Sequence, residues 1–268
     1  MSVGASLRAM PTMLRVGLAE TIAYRAEMIV WILTTTMPLV MLALWTSVAA
    51  EAPFAGFTEL DFVAYYLAAL IVRTLASNWV AWQLAEEIRT GTLSMRLLRP
   101  VHPLAGLFAT QAGGVPLRMI VVLPVVVVLA LSDAGAAVTG APAHLALFAL
   151  SLVGAWLLTF FTFVTIGALS FFLEKSIALA EVYFGIFMVM SGYLIPLALM
   201  PPWLRTAADW LPFYYMMGGP VEILIGRHPT LAGAAGVLAA QWAWTAIMAT
   251  LAAVTWRRGL RRFEAFGA

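Results

Sequence analysis

Long apolar stretches make up most of the chain, and short segments rich in charges, prolines and glycines separate them. A helix needs roughly 20 mostly apolar residues to cross a hydrocarbon core about 30 Å thick. Six stretches approach or exceed that length, which predicts an all-α membrane fold in a single domain. The predicted spans are residues 28–50, 62–85, 107–131, 145–173, 177–199 and 231–256.

The segment before the first span, residues 1–27, has apolar side chains at helical spacing. This pattern predicts an amphipathic helix in the membrane interface, with its arginines toward anionic headgroups. A helix packed on another cytoplasmic protein would show the same pattern. Pro11 is expected to break its first turns. The apolar positions are Leu7, Met10, Leu14, Leu18 and Ile22.

The segment before the last span, residues 200–229, is apolar but interrupted by Pro201, Pro202, Pro212 and Pro220. Each piece between these prolines is too short to cross a membrane. Short apolar pieces that return to the same side predict a re-entrant hairpin, buried in protein or facing a water-filled cavity.

Composition supports a membrane protein and excludes several other classes. The chain is 63% hydrophobic and only 10% charged, whereas soluble domains carry about 25% charged residues. This composition excludes a soluble enzyme, a disordered chain and a nucleic-acid-binding module. Since the chain has no cysteine, disulfides and thiolate metal sites are excluded as well.

Basic residues gather on one side of the predicted spans, which places both termini in the cytoplasm by the positive-inside rule. The opposite side carries only Arg205 and Arg227. The basic residues on the cytoplasmic side are Arg8, Arg15, Arg25, Arg89, Arg96, Arg99, Lys175, Arg257, Arg258, Arg261 and Arg262.

The cytoplasmic loop at residues 86–104 is the most informative segment between spans. Its pattern predicts a short helix capped by Thr92, with leucines on one face and arginines on the other. Such a helix suits docking of a cytoplasmic protein, although an ordinary surface loop has the same periodicity. The leucines are Leu93, Leu97 and Leu98, and the arginines are Arg96 and Arg99.

Two arginines lie within predicted spans. Arg73 falls roughly 17 Å from the outer end of the second span at 1.5 Å per residue. A central arginine costs about 2.5–3.5 kcal/mol, so Arg73 should face protein or water. It either lines a path and attracts anionic substrate groups, pairs across a subunit interface, or forms a buried structural pair. Arg118 lies closer to the cytoplasm, where its side chain is expected to reach the headgroups.

Glu222 is the acidic residue within the predicted hairpin. A carboxylate that dips into the membrane is costly. It either gates the exit or meets a cationic substrate, or it pairs with Arg227 or lies in the outer headgroup zone.

Three motifs occur in order along the chain and together resemble one family. The first is Glu-Ile-Arg-Thr-Gly-Thr-Leu at 87–93 with Leu-Leu-Arg-Pro-Val-His-Pro-Leu at 97–104. The others lie at 211–226 and 257–267. They resemble the first cytoplasmic loop, the segment before the final span and the C-terminal tail of ABC-2 type transporter permeases, in the bacterial viologen- and antibiotic-exporter-like branch. The third and fourth spans carry no matching motif.

The resemblance implies the permease subunit of an ATP-driven exporter in the bacterial inner membrane, moving a hydrophobic or amphipathic substrate outward. Its implied partners are cytoplasmic ATPase subunits, which bind ATP and Mg, and a second permease copy or paralogue. Residues 1–27 would be the connecting helix, and residues 200–229 a pair of outer re-entrant helices. The candidate path or gate residues are Arg73 and Glu222, chosen for their charges within apolar segments rather than from the resemblance. The implied coupling-helix residues are Glu86, Glu87, Arg89, Gly91, Thr92, Leu93, Arg96, Leu97, Leu98 and Arg99.

The chain has no Gly-x-x-x-x-Gly-Lys-[Ser/Thr] loop, and its sole lysine, Lys175, lies outside any glycine-rich turn. Energy must therefore come from another polypeptide or from an ion gradient. An ion-coupled secondary transporter is the main alternative, although no internal repeat is evident. A membrane-embedded enzyme is disfavoured, because zinc-protease and serine-hydrolase motifs are missing.

Overall fold

The computed structural model describes residues 3–24, 26, 30 and 37–263 of the chain. Regular secondary structure within these residues is helical, apart from an isolated bridge between Phe54 and Phe57. The all-α prediction is therefore confirmed. The α-helices are α1 (Val3–Ala23), α2 (Met37–Ala49), α3 (Glu59–Ala76), α4 (Val80–Arg89), α5 (Leu93–Leu97), α6 (Pro103–Gly113), α7 (Val115–Leu131), α8 (Pro142–Ala168), α9 (Ser176–Met190), α10 (Pro202–Asp209), α11 (Pro212–Met216), α12 (Gly218–Leu224) and α13 (Leu231–Leu260).

Within the described part of the chain, apolar helices fall at all six positions where the sequence predicts a crossing. Four helical segments are long and apolar enough to span a bilayer. The helices α2 and α9 are shorter, at 13 and 15 residues. The first predicted span includes positions 28, 29 and 31–36, which lie outside the described residues, so its full length stays a prediction. The four long segments are Glu59–Arg89, Pro103–Leu131, Pro142–Phe171 and Leu231–Leu260.

The second crossing is interrupted. Its first half, α3, begins with a capping box in which Thr58 and Asp61 exchange hydrogen bonds of 2.9 and 3.2 Å. The helix ends at Ala76, and α4 begins only at Val80. The residues between them, 77–79, form a break within the predicted span 62–85, which the apolar pattern alone does not indicate.

The predicted fifth span, 177–199, is too long at its C-terminal end. Helix α9 stops at Met190, because Gly192 adopts a left-handed backbone with φ +84° that turns the chain. The Tyr65 hydroxyl donates a 2.8 Å hydrogen bond to the Gly192 carbonyl. A Cβ at Gly192 would collide with the same hydroxyl, so only glycine fits there.

The long helix α8 lies at the centre of the bundle and packs closely against α13. The two helices meet at Gly154, where a Cβ would lie 2.5 Å from the side-chain oxygen of Gln241. Gln241 is fully buried and donates hydrogen bonds to the carbonyls of Ser151 (3.0 Å) and Tyr215 (2.6 Å). One amide therefore joins α8, α13 and α11.

The segment 200–229 folds as three short helices rather than the two that the sequence predicts. Helix α10 is on the surface, with Trp203 70% exposed. By contrast, α11 and α12 are buried, and the amide of Gly218 donates a 2.9 Å hydrogen bond to the Ser191 carbonyl. The irregular backbone between α11 and α12 is thus enclosed by protein, as a re-entrant segment requires. Its depth in the membrane stays a prediction.

The N-terminal helix α1 is continuous through Pro11, so the expected break there is wrong. Its packed face is set by close backbone contact rather than by leucines: a Cβ at Gly17 would lie 2.6 Å from the Ala109 carbonyl on α6. Leu7 and Ile22 of the predicted apolar face are 65% and 45% exposed. Helix α1 therefore packs on the third crossing and leaves part of its apolar face uncovered.

We expect Gly17→Ala to destabilise the fold, because the added methyl group would push α1 away from α6. Overpacking of this kind typically costs about 1–3 kcal/mol. Thermal unfolding of the purified protein in detergent measures the effect. Gly4→Ala is the matched control in the same helix, since no atom lies within 4 Å of a Cβ at Gly4. Equal melting temperatures for the two variants would contradict the packing role of Gly17.

Candidate functional site

The loop between the second and third crossings contains the predicted short helix, but its apolar face differs from the prediction. Gly91, with φ +76°, reverses the chain after α4, and α5 follows. Leu93 is fully buried and Leu97 is partly buried. Leu98 is 81% exposed and Met95 66% exposed. Leu98 does not share the buried face, because a spacing of five residues from Leu93 places it on a different side of the helix.

Thr92 does not cap α5 with its side chain, so that prediction is wrong. A capping residue normally has an extended backbone, whereas Thr92 is already helical with φ −65° and ψ −16°. Its hydroxyl instead lies 2.9 Å from that of Thr90.

Two ion pairs organise the loop. Arg96 of α5 binds both carboxylate oxygens of Glu87 at 2.5 and 2.9 Å, and both side chains are largely buried at 21% and 16% exposure. Arg89 pairs with Glu86 at 2.6 Å, but these side chains are 71% and 56% exposed. Arg99 is exposed. Bidentate geometry and partial burial make the Arg96–Glu87 pair the stronger constraint on α5.

The C-terminal end of the loop is hydrogen-bonded to α1. The His102 amide donates a 3.0 Å hydrogen bond to the Ser6 hydroxyl. The His102 ring nitrogen Nδ1 accepts a 3.2 Å hydrogen bond from the Leu104 amide and so caps α6. Burial lowers the pKa of His102, which favours the neutral ring that this cap needs.

Two glutamines extend the hydrogen bonds of the Glu87 carboxylate into the bundle. The sequence analysis did not identify either of them. Gln83 donates to Glu87 at 3.3 Å and accepts from Gln111 at 3.2 Å. The Gln111 side-chain oxygen accepts a 3.0 Å hydrogen bond from the Trp79 amide, inside the break of the second crossing. An amide side chain within an otherwise apolar span is the signal that would have identified both residues.

Arg118 is buried at 7% exposure and donates a hydrogen bond to the Ser77 carbonyl. The expectation that its side chain reaches the headgroups is therefore wrong. The physical reason is the break at 77–79, which leaves a carbonyl in apolar surroundings that needs a donor.

Arg73 lines a narrow cavity next to this break. Its guanidinium lies 5.8 and 5.7 Å from the ring centres of Phe184 and Phe187, within cation–π range. Among the described residues, no carboxylate lies at ion-pair distance from Arg73. Further lining residues are Phe163, Tyr183, Met216 and Met217.

Glu222 belongs to a separate polar cluster at the end of α12. Its carboxylate accepts a 2.7 Å hydrogen bond from the Tyr214 hydroxyl and lies 3.4 Å from the His228 ring nitrogen. Of the alternatives for Glu222, an ion pair with Arg227 is not found among the described residues. Arg227 instead lies 3.4 Å from Asp61.

The structure thus brings together the loop residues Glu87, Gly91, Leu93 and Arg96 around α5. It does not join Arg73 and Glu222 in one cavity or one ion pair within the described residues. Arg73 belongs with the break in the second crossing, and Glu222 with the short helices before the last crossing.

A bundle of apolar helices with an interrupted crossing and buried short helices defines an α-helical integral membrane protein of the permease type. Comparison with protein families assigns it further: the model of the ABC-2 family transporter protein matches residues 29–267. The chain belongs to the ABC-2 transporter family. Searches of curated proteins and of solved structures each found no match.

We expect Tyr214→Phe to destabilise the protein by about 1.5–3 kcal/mol, because a hydrogen bond to a charged acceptor is lost. Tyr215→Phe is the matched control, since the Tyr215 hydroxyl donates to a neutral acceptor, the Asp209 carbonyl, at 3.0 Å. Thermal unfolding of both variants in detergent gives the comparison. If Tyr215→Phe lowers the melting temperature as much or more, the Glu222 contact is not the stronger of the two.

Proposed function

We propose that this chain is the permease subunit of an ATP-driven exporter and moves a hydrophobic or amphipathic substrate outward across the bacterial inner membrane. The observation that carries the proposal is α5, a short helix that presents the exposed side chains of Met95 and Leu98. The Arg96–Glu87 ion pair holds this helix on α4, in a chain of the ABC-2 family. A rigidly held helix with an exposed apolar tip suits a coupling helix that docks on a separate protein.

In this proposal, cytoplasmic ATPase subunits bind ATP and Mg and dock at the loop 86–104. A second permease copy or a paralogue completes the transport unit, surrounded by lipid. Both termini are cytoplasmic, as the arginine distribution predicts. ATP binding and hydrolysis move α5. The helix α4, which forms the second half of the second crossing, passes that movement to the break at 77–79.

The cavity at Arg73 is the proposed part of the translocation path. An arginine without an acidic partner among the described residues, next to aromatic rings, suits the anionic group of an otherwise apolar molecule. Glu222 and its neighbours form the proposed outer gate, since the cluster lies on the short helices before the last crossing.

We expect the double substitution Met95→Asp and Leu98→Asp to detach the ATPase, because charged groups replace the apolar surface that docks. Co-purification of the ATPase with the tagged permease, followed by ATP hydrolysis in lipid nanodiscs, measures docking. Leu60→Asp is the control at the opposite end of the bundle, where Leu60 is 46% exposed. Undiminished co-purification of the double variant would argue against the docking role of α5. If the wild type moves substrate on a proton or sodium gradient alone, it is instead an ion-coupled transporter.

We expect Arg73→Gln to weaken binding of anionic amphiphiles by about ten- to a hundredfold, since a charge-assisted hydrogen bond is worth about 1.5–3 kcal/mol. A photoactivatable fatty acid and its methyl ester serve as probes, and mass spectrometry measures cross-linking to the cavity. Arg73→Lys should retain most cross-linking of the acid. Cross-linking of the methyl ester should not depend on residue 73. Equal cross-linking of the acid in wild type and Arg73→Gln would rule out the anion-binding role.

A further inference from the structure

The break in the second crossing exposes backbone groups that a continuous helix would satisfy. Two of them form hydrogen bonds with side chains of the third crossing. The Ser77 carbonyl accepts a hydrogen bond from Arg118, and the Trp79 amide donates one to Gln111 at 3.0 Å. Both partners lie in helices that pack next to the break, α7 and α6. Because an unsatisfied backbone group costs several kcal/mol in apolar surroundings, these two side chains stabilise the broken form.

Gln111 cannot be treated alone, because its amide nitrogen donates to Gln83. Gln83 in turn donates to Glu87 at 3.3 Å, and Glu87 holds Arg96 of α5. Three side chains therefore form a continuous hydrogen-bonded row from the cytoplasmic helix α5 to the backbone of the break. Glu87 is the shared acceptor, so a displacement of Arg96 alters the acceptor that Gln83 uses.

The break also contains a polar group that this arrangement leaves without a partner. Asn78 is 2% exposed, and within the described residues neither atom of its side-chain amide has a hydrogen-bond partner. Burial of such a group is costly. An arrangement of the break that satisfies Asn78 would therefore compete with the one described, which is the property that a two-state element needs.

We infer that Gln83 and Gln111 are positioning residues that transmit the position of α5 to the break at 77–79, beside the Arg73 cavity. The inference rests on the proposed function for its biological role, since α5 would be moved by the docked ATPase. The physical coupling from Arg96 to the break belongs to the permease itself. It is therefore testable without the ATPase.

The absence of cysteine from the sequence provides the readout. In the full-length permease in lipid nanodiscs, Ser77→Cys introduces a single thiol at the break, and a maleimide reagent reports its accessibility. Arg96→Gln, at the other end of the row, should change the labelling rate at least about threefold. Arg89→Gln is the matched control, because it removes an ion pair in the same loop that does not contact Gln83. Equal rates in the Arg96→Gln and Arg89→Gln backgrounds would overturn the inference.

A double-mutant cycle separates transmission from general loosening of the fold. Gln111→Leu removes the link between Gln83 and the break, so Arg96→Gln should have no further effect on the labelling of the Ser77→Cys thiol in that background. Additive effects of the two substitutions would overturn the inference. Size-exclusion chromatography and circular dichroism confirm that each variant is folded. Gln111→Leu should also retain the ATPase, since the exposed side of α5 is unchanged. A wild type that binds no ATPase contradicts the proposed function, while the labelling cycle still decides the transmission.

Discussion

A backbone carbonyl or amide that loses its helical partner within an apolar bundle must find another donor or acceptor inside the protein. This constraint governs the second crossing, where the helix is interrupted at 77–79. Arg118 and Gln111 supply the missing partners from the third crossing. The direction of α4, and with it the position of the loop that follows this helix, depends on these two contacts. The Arg73 cavity depends on them too, because Arg73 and Ala76 line it from the last turn of α3.

The same constraint on backbone carbonyls and amides applies at a second interruption, between α9 and α10. The Tyr65 hydroxyl satisfies the Gly192 carbonyl, and the Tyr66 hydroxyl satisfies that of Leu194, both at 2.8 Å. Two tyrosines of α3 therefore hold the turn that ends the short helix α9. Since Arg73 lies on the same helix, α3 connects the turn after α9 with the cavity. The described structure is thus organised around α3 on one side and the central helix α8 on the other.

The sequence predicts the all-α class and the approximate position of each crossing, because the transfer of apolar side chains from water determines both. It does not predict the break at 77–79, since Ser77, Asn78 and Trp79 include neither glycine nor proline. That break is stabilised by partners more than 30 residues away along the chain. The burial of Arg118 was mispredicted for the same reason. Contacts between distant residues, not local patterns, decide these features.

Within the candidate site, the sequence predicts the loop helix and singles out Glu86 and Glu87 before it, but not the pairing that orients them. The prediction groups Leu98 with Leu93, whereas a spacing of five residues places them on different sides of a helix. The glutamines of the row were recognisable only as amides in apolar segments. Their shared role depends on the hydrogen bond that joins them across 28 residues of sequence. Pro11 shows the opposite error, since a residue expected to end a helix is accommodated within α1.

The glycine contact between α1 and α6 has a mechanical consequence. A Cβ at Gly113 would lie 2.6 Å from backbone atoms of Gly17 and Leu18, so the two helices touch along their main chains with no flexible side chain between them. At such a contact a movement of one helix displaces the other, because no side chain between them can rearrange. Because Gln111 lies one half-turn from Gly113, a tilt of α1 imposed by bilayer thickness or lateral tension would reach the hydrogen-bonded row directly. The bilayer would then act on the same row of side chains as a displacement of α5.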